Sequence, residues 1–143
     1  MISIVIKNIS MNMDLEVKEP KKKVLDGNAT LKLLQNYSDS HSLTNDSIIY
    51  LFTESTPVDK AYFGAAFPDL FSTYSTFGTF CSNTSSAAMR QSPKNWNYWS
   101  TVKATALTFR TRNFIQFTME DIEKMKNTFL YEEFILFLCR HSM

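Results

Sequence analysis

Apolar positions follow several different rhythms along the 143-residue chain. Ile2, Ile4 and Ile6 alternate, with Val5 between them, which predicts a short extended segment. Met11 to Val24 has no period, so residues 1–25 are expected to form a loose arm. The stretch Asp26 to Asn28 supplies a cap for a helix with Leu31, Leu33, Leu34 and Tyr37 as its apolar positions, ending in the polar run Ser38 to Asp46. Ile48 to Phe52 is a compact apolar run that fits a strand or a buried helical turn equally well.

Beyond it, Phe67 precedes Pro68, and Leu70, Phe71, Tyr74 and Phe77 then recur at helical spacing before Gly78. Proline near the start and glycine just past the end predict a helix with an aromatic face. Thr79 to Gln91 is small and polar and reads as a loop. Trp96, Trp99, Val102, Ala106 and Phe109 predict a second amphipathic helix from Lys94 to Phe109. Thr118 and Asp121 have the spacing of a capping box in its acidic variant, with Glu120 adding charge to the first turn, so a third helix should start at Met119. Its one-sided start through Ile122, Met125 and Phe129 gives way to a stretch, Phe129 to Cys139, that is apolar all round except for Glu132 and Glu133. That pattern predicts a buried helix in which one of these carboxylates faces a partner, water or an edge. Taken together the elements predict a mainly α protein.

Composition narrows the chemistry. The chain is 44% hydrophobic and 20% charged, enough apolar content for a packed core. Fifteen basic residues against fourteen acidic ones leave a net charge of +1, so bulk electrostatics favour neither nucleic acid nor an anionic membrane. Cys81, Cys139, His41 and His141 are too few for a zinc module or a disulfide scaffold. With three glycines the chain has neither phosphate-binding glycine motif. No run approaches the ~18 apolar residues of a membrane span, and Met1 to Ile6 is too short for a secretory core, so an intracellular protein is expected. On that view the sequons at Asn8, Asn28, Asn36, Asn45 and Asn83 read as chance matches in a chain with 15 Ser and 14 Thr. Lys18, Lys21, Lys22 and Lys23 cluster around Pro20 and fit a solvated linker or an import signal.

Catalysis finds no anchor. There is no GxSxG, HExxH or CxxC, and Asp121 and Glu132 on one helix would stand about 16 Å apart, too far for a carboxylate pair. Cys139 and His141, two residues apart, would point to different sides of a helix. No enzyme, metal or cofactor is expected.

The pattern Phe114-x-x-Phe117-x-x-x-Asp121-x-x-x-Met125, with Glu132 eleven residues after the aspartate, resembles the signature of nuclear hormone receptor ligand-binding domains, most of all the divergent nematode type. It departs from that signature at Ile122, Lys126 and Asn127, and Phe109 stands where a coactivator-clamping lysine belongs. The resemblance covers residues 96–143. It implies a partial helical sandwich corresponding to the N-terminal half of that domain over residues 26–143, behind the arm and its basic run. It further implies a lipophilic pocket lined by Trp99, Val102, Ala106 and Phe109, and a coregulator groove near Arg110, Arg112 and Lys126. The function it implies is transcriptional regulation in the nucleus, or otherwise in the cytoplasm, through a lipophilic ligand, coregulators or another receptor, without autonomous DNA binding. The alternative reading is a noncatalytic helical interaction module, of viral type, that docks partners through the aromatic face between Phe67 and Phe80.

Overall fold

The computed structural model describes residues 5–19, 23–59, 72–91 and 98–128. In chain order these form β1 (Val24–Asp26), α1 (Gly27–Ser40), β2 (Ile48–Thr53), β3 (Thr56–Val58), β4 (Thr73–Ser75), β5 (Ser85–Arg90) and α2 (Tyr98–Thr108), followed by a helical segment over 119–128. β2, β5 and β4 make one sheet in that order, with β5 parallel to β2 and antiparallel to β4, while β1 and β3 pair in parallel as a second sheet.

The protein is therefore mixed α/β, which overturns the expected mainly α partial helical sandwich and its all-α classification. The physical reason lies in β5. Its Ser-Ser-Ala-Ala-Met-Arg sequence carries no strand periodicity, yet Ser85 to Met89 are all buried, because β5 is the central strand and is covered on both faces. The segment expected to be a loop is thus the middle of the core. Where the predicted aromatic helix can be followed, Thr73–Ser75 is strand and Gly78 lies in a turn, with φ of +64°. Ile48 to Phe52 resolves as strand.

Side chains alternate between the faces of a strand, which places the helices. Tyr50 lies opposite Ala87, and its hydroxyl meets Thr105 Oγ1 of α2 at 2.6 Å; Ala87 and Met89 cluster with Ala104 of α2. Burial raises the Tyr50 pKa above the usual phenol value. Tyr74 lies opposite Ala88, and its ring lies against Gly27, where an added Cβ would overlap it, so that face belongs to α1. The two helices cover opposite faces of one sheet, and the small side chains of β5 let both approach closely.

α1 begins where the sequence placed it. Asp26 has extended backbone and its carboxylate accepts the Ala29 N–H at 3.0 Å, and Gly27, Thr30, Leu34 and Ser38 form its buried stripe. Upstream, Val17 donates its N–H to Thr30 Oγ1 and accepts one from Asp26, which ties the end of the N-terminal segment to β1 and α1. Lys18 pairs with Glu16, and Lys21 and Lys22 lie outside the described residues.

Both helices end in the same motif. After α1, Leu43 N–H bonds to Ser38 C=O and Ser42 N–H to Asp39 C=O, with Ser42 left-handed at φ +50°. After α2, Thr111 N–H bonds to Ala106 C=O and Arg110 N–H to Leu107 C=O, with Arg110 at φ +70°. These are Schellman closures in which serine and arginine hold the position that glycine usually takes.

Candidate interaction site

The chain leaving α2 is organised by a single carboxylate. Thr111, buried directly after the helix end, donates its hydroxyl to Asp121 Oδ1 at 2.7 Å. Asn113 Nδ2 donates to Asp121 Oδ2 at 2.6 Å. Thr118 donates to the same oxygen twice, from its N–H at 2.9 Å and its hydroxyl at 2.7 Å, and its Oγ1 accepts the Asp121 N–H at 3.2 Å. The last three contacts are the predicted capping box, and the helical segment starts at residue 119. Donors from Thr118, then Asn113 and Thr111, hold the Asp121 carboxyl far below the usual carboxylate range, and desolvation opposes them only weakly.

Between these anchors the loop displays apolar side chains. Phe114 turns inward, its ring 6.3 Å from that of Trp99, with Lys103 Nζ 5.9 Å from the ring centroid. Ile115, Phe117 and Met119 point out and are 69%, 43% and 78% exposed. Such exposure on a wandering terminus would mean little. Here the backbone is fixed from both ends by one ion, so the apolar groups are presented in a set geometry.

Basic residues border the same loop. Arg110 lays its stem against Gly78, where an added Cβ would meet the Arg110 Cγ at 3.0 Å. The Arg112 guanidinium sits 5.5 Å from the ring centroid of Phe77, itself 47% exposed. Neither arginine forms an ion pair among the described residues. The turn carrying Phe77 is pinned to the end of α2 through Gly78 N–H to Leu107 C=O at 2.9 Å and Phe80 N–H to Thr108 C=O at 3.2 Å. These bonds satisfy carbonyls that a helix end leaves open.

The structure separates the remaining expected site residues. Trp99, Val102, Ala106 and Phe109 lie along α2; Trp99 packs on Phe114, Phe109 meets Phe80 edge-on at 4.8 Å, and Ala106 is buried. Arg110 and Arg112 share the 77–78 turn, whereas Lys126 is exposed on the helical segment, beyond Met125, which is half-buried. Glu132 lies outside the described residues, as do Trp96, the apolar run 129–139, Cys139 and His141. Ile115 escaped the sequence reading, although its alternation with Phe117 and Met119 just ahead of a capping box was a usable signal. Thr111 and Asn113 gave none, because their role depends on the helix end that turns them toward Asp121.

Among the described residues no group of three His, Cys, Asp or Glu is gathered to hold a metal, and no helix is long and apolar enough to cross a membrane. Comparison with protein-family models, curated proteins and solved structures found no match.

Proposed function

We propose that the chain is a noncatalytic protein-binding domain whose contact element is the loop 110–119, and that its partner is an acidic amphipathic segment. The observation that carries this reading is the display of Ile115, Phe117 and Met119 on a backbone locked to Asp121. Exposed apolar groups on a fixed loop lose little entropy on binding, and aromatic and arginine side chains are the residue types that dominate interface energetics. Arg110 and Arg112 give the partner its sign, since guanidiniums that form no ion pair among the described residues and stand beside an apolar strip favour carboxylates flanking apolar anchors. The helical sandwich that the receptor resemblance implied is not the fold found, so the interaction reading is preferred over a lipophilic pocket.

Fluorescence anisotropy with labelled peptides tests this directly. An acidic amphipathic peptide should bind, and an Ile115→Asp/Met119→Asp variant should weaken it at least tenfold with an unchanged circular dichroism spectrum. Equal binding of the variant, or equal binding of a charge-reversed peptide, would overturn the proposal. LxxLL-type peptides form the second arm: selective binding of these would return the receptor-type coregulator reading to first place.

A further inference from the structure

We infer that the exposed asparagines of the five Asn-x-Ser/Thr sequons are N-glycan acceptors, and that the protein therefore matures in a secretory lumen. The sequence holds ten asparagines, and with 29 hydroxyl residues in 143 about two of them would meet Ser or Thr two positions on by chance. Five do, and none of the five has proline between. The structure adds what composition could not. Asn8, Asn28, Asn36, Asn45 and Asn83 are all exposed, although the hydroxyl residues that complete three of these sequons, Thr30, Ser38 and Ser85, are buried.

Two of the acceptors lie on α1, whose buried stripe runs through Gly27, Thr30, Leu34 and Ser38; Asn28 and Asn36 stand clear of it. Two more lie on loops that meet, because Cys81 N–H bonds to the Asn45 carbonyl two residues before Asn83. Asn83 accepts the Thr84 N–H at 2.8 Å through its side-chain oxygen and not through the acceptor nitrogen. The contrast is Asn113, outside any sequon, whose Nδ2 is committed to Asp121. Burial of Thr30, Ser38 and Ser85 fits modification of the chain before it folds, when the enzyme can still reach the hydroxyl.

The chemistry is a single displacement. The asparagine Nδ2 attacks C1 of a lipid-pyrophosphate-linked oligosaccharide, the N–C1 bond forms, the C1–O bond to phosphate breaks, the pyrophosphate departs with the electron pair, and the amide proton passes to a base. No oxidant or reductant enters.

The test is made on the protein from its natural source. Digestion with peptide-N-glycosidase in heavy-oxygen water, followed by mass spectrometry, should convert sequon asparagines to labelled aspartate and leave Asn113 and Asn127 unlabelled. A second measurement uses the full chain behind a cleavable leader in a microsomal translation system. It should yield a ladder of up to five glycosidase-sensitive steps, and the exposed-site change Asn28→Gln should remove one. Source protein in which all five asparagines are unmodified, or a microsomal product that shows no ladder, would overturn the inference.

Discussion

The ends of α1 and α2 are the same local structure put to different use. Each closes with the two crossed backbone bonds of a Schellman motif around a left-handed residue that is not glycine, Ser42 in one and Arg110 in the other. After α1 the chain runs exposed from His41 to Asp46, with the His41 ring stacked on Tyr37 at 3.9 Å and one longer-range backbone bond, Cys81 N–H to Asn45 C=O at 2.9 Å. After α2 the chain is gripped twice, by the Gly78–Phe80 turn on the helix carbonyls and by Asp121 on Thr111 and Asn113. The difference teaches where a set geometry has been built. Closing a helix needs only local bonds; holding Ile115, Phe117 and Met119 outward needs a second anchor ten residues on.

The sharpest way to break the comparison is at the grip on α2. Gly78→Ala puts a Cβ on a residue at φ +64° and 3.0 Å from the Arg110 stem. The left-handed backbone alone costs about 1–2 kcal/mol for a residue with a Cβ. Chemical denaturation should show a loss of that order, and hydrogen exchange should show faster exchange at Thr111 and Asn113 while Leu43, at the end of α1, keeps its protection. Unchanged exchange at Thr111 would mean that the turn does not support the helix end.

A smaller effect separates the two left-handed residues themselves. Ser42→Gly relieves the backbone strain but loosens the unfolded chain, so the net gain should be about 0.5 kcal/mol. Arg110→Gly relieves the same strain and also removes the aliphatic stem from Gly78, so its gain should be smaller or reversed. Thermal unfolding of the two variants side by side checks the order; a larger gain for Arg110→Gly would show that the stem contact contributes nothing.

How much of this was readable in the sequence follows the range of the forces involved. Caps are local: Asp26 ahead of α1 and Thr118 with Asp121 ahead of 119–128 act over three residues, and both were legible. The periodicity of α2 was legible for the same reason. β5 was not, because Ser85 to Met89 are buried by two helices that arrive from distant parts of the chain, and small side chains are chosen by that proximity rather than by strand preference. Gly78 was recognised as a position needing special backbone but was assigned to the wrong element, since the aromatic spacing at Tyr74 and Phe77 mimics a helix while Tyr74 faces Gly27 from a strand. The resemblance at Phe114, Phe117 and Asp121 fell on the loop that Asp121 organises, but the fold it implied is displaced by the mixed sheet.

The last expected effect concerns Asp121 in acid. Its carboxyl is held below the usual range by donors from Thr118, Asn113 and Thr111, so the folded protein takes up this proton later than the unfolded chain does. The sign follows: the stabilisation is fully present above the unfolded value of about 3.9 and is lost progressively as pH falls below it toward the folded value. Between pH 7 and about 5 the stability difference between the native protein and Asp121→Asn should therefore stay flat, and narrowing should begin only as the pH falls further toward the unfolded value. Urea denaturation at a series of pH values, followed by tryptophan fluorescence, reads this difference. A difference that stays flat throughout the acid range would mean that the carboxylate is not held by these donors, and that the α2 side of the comparison rests on the Gly78 turn alone.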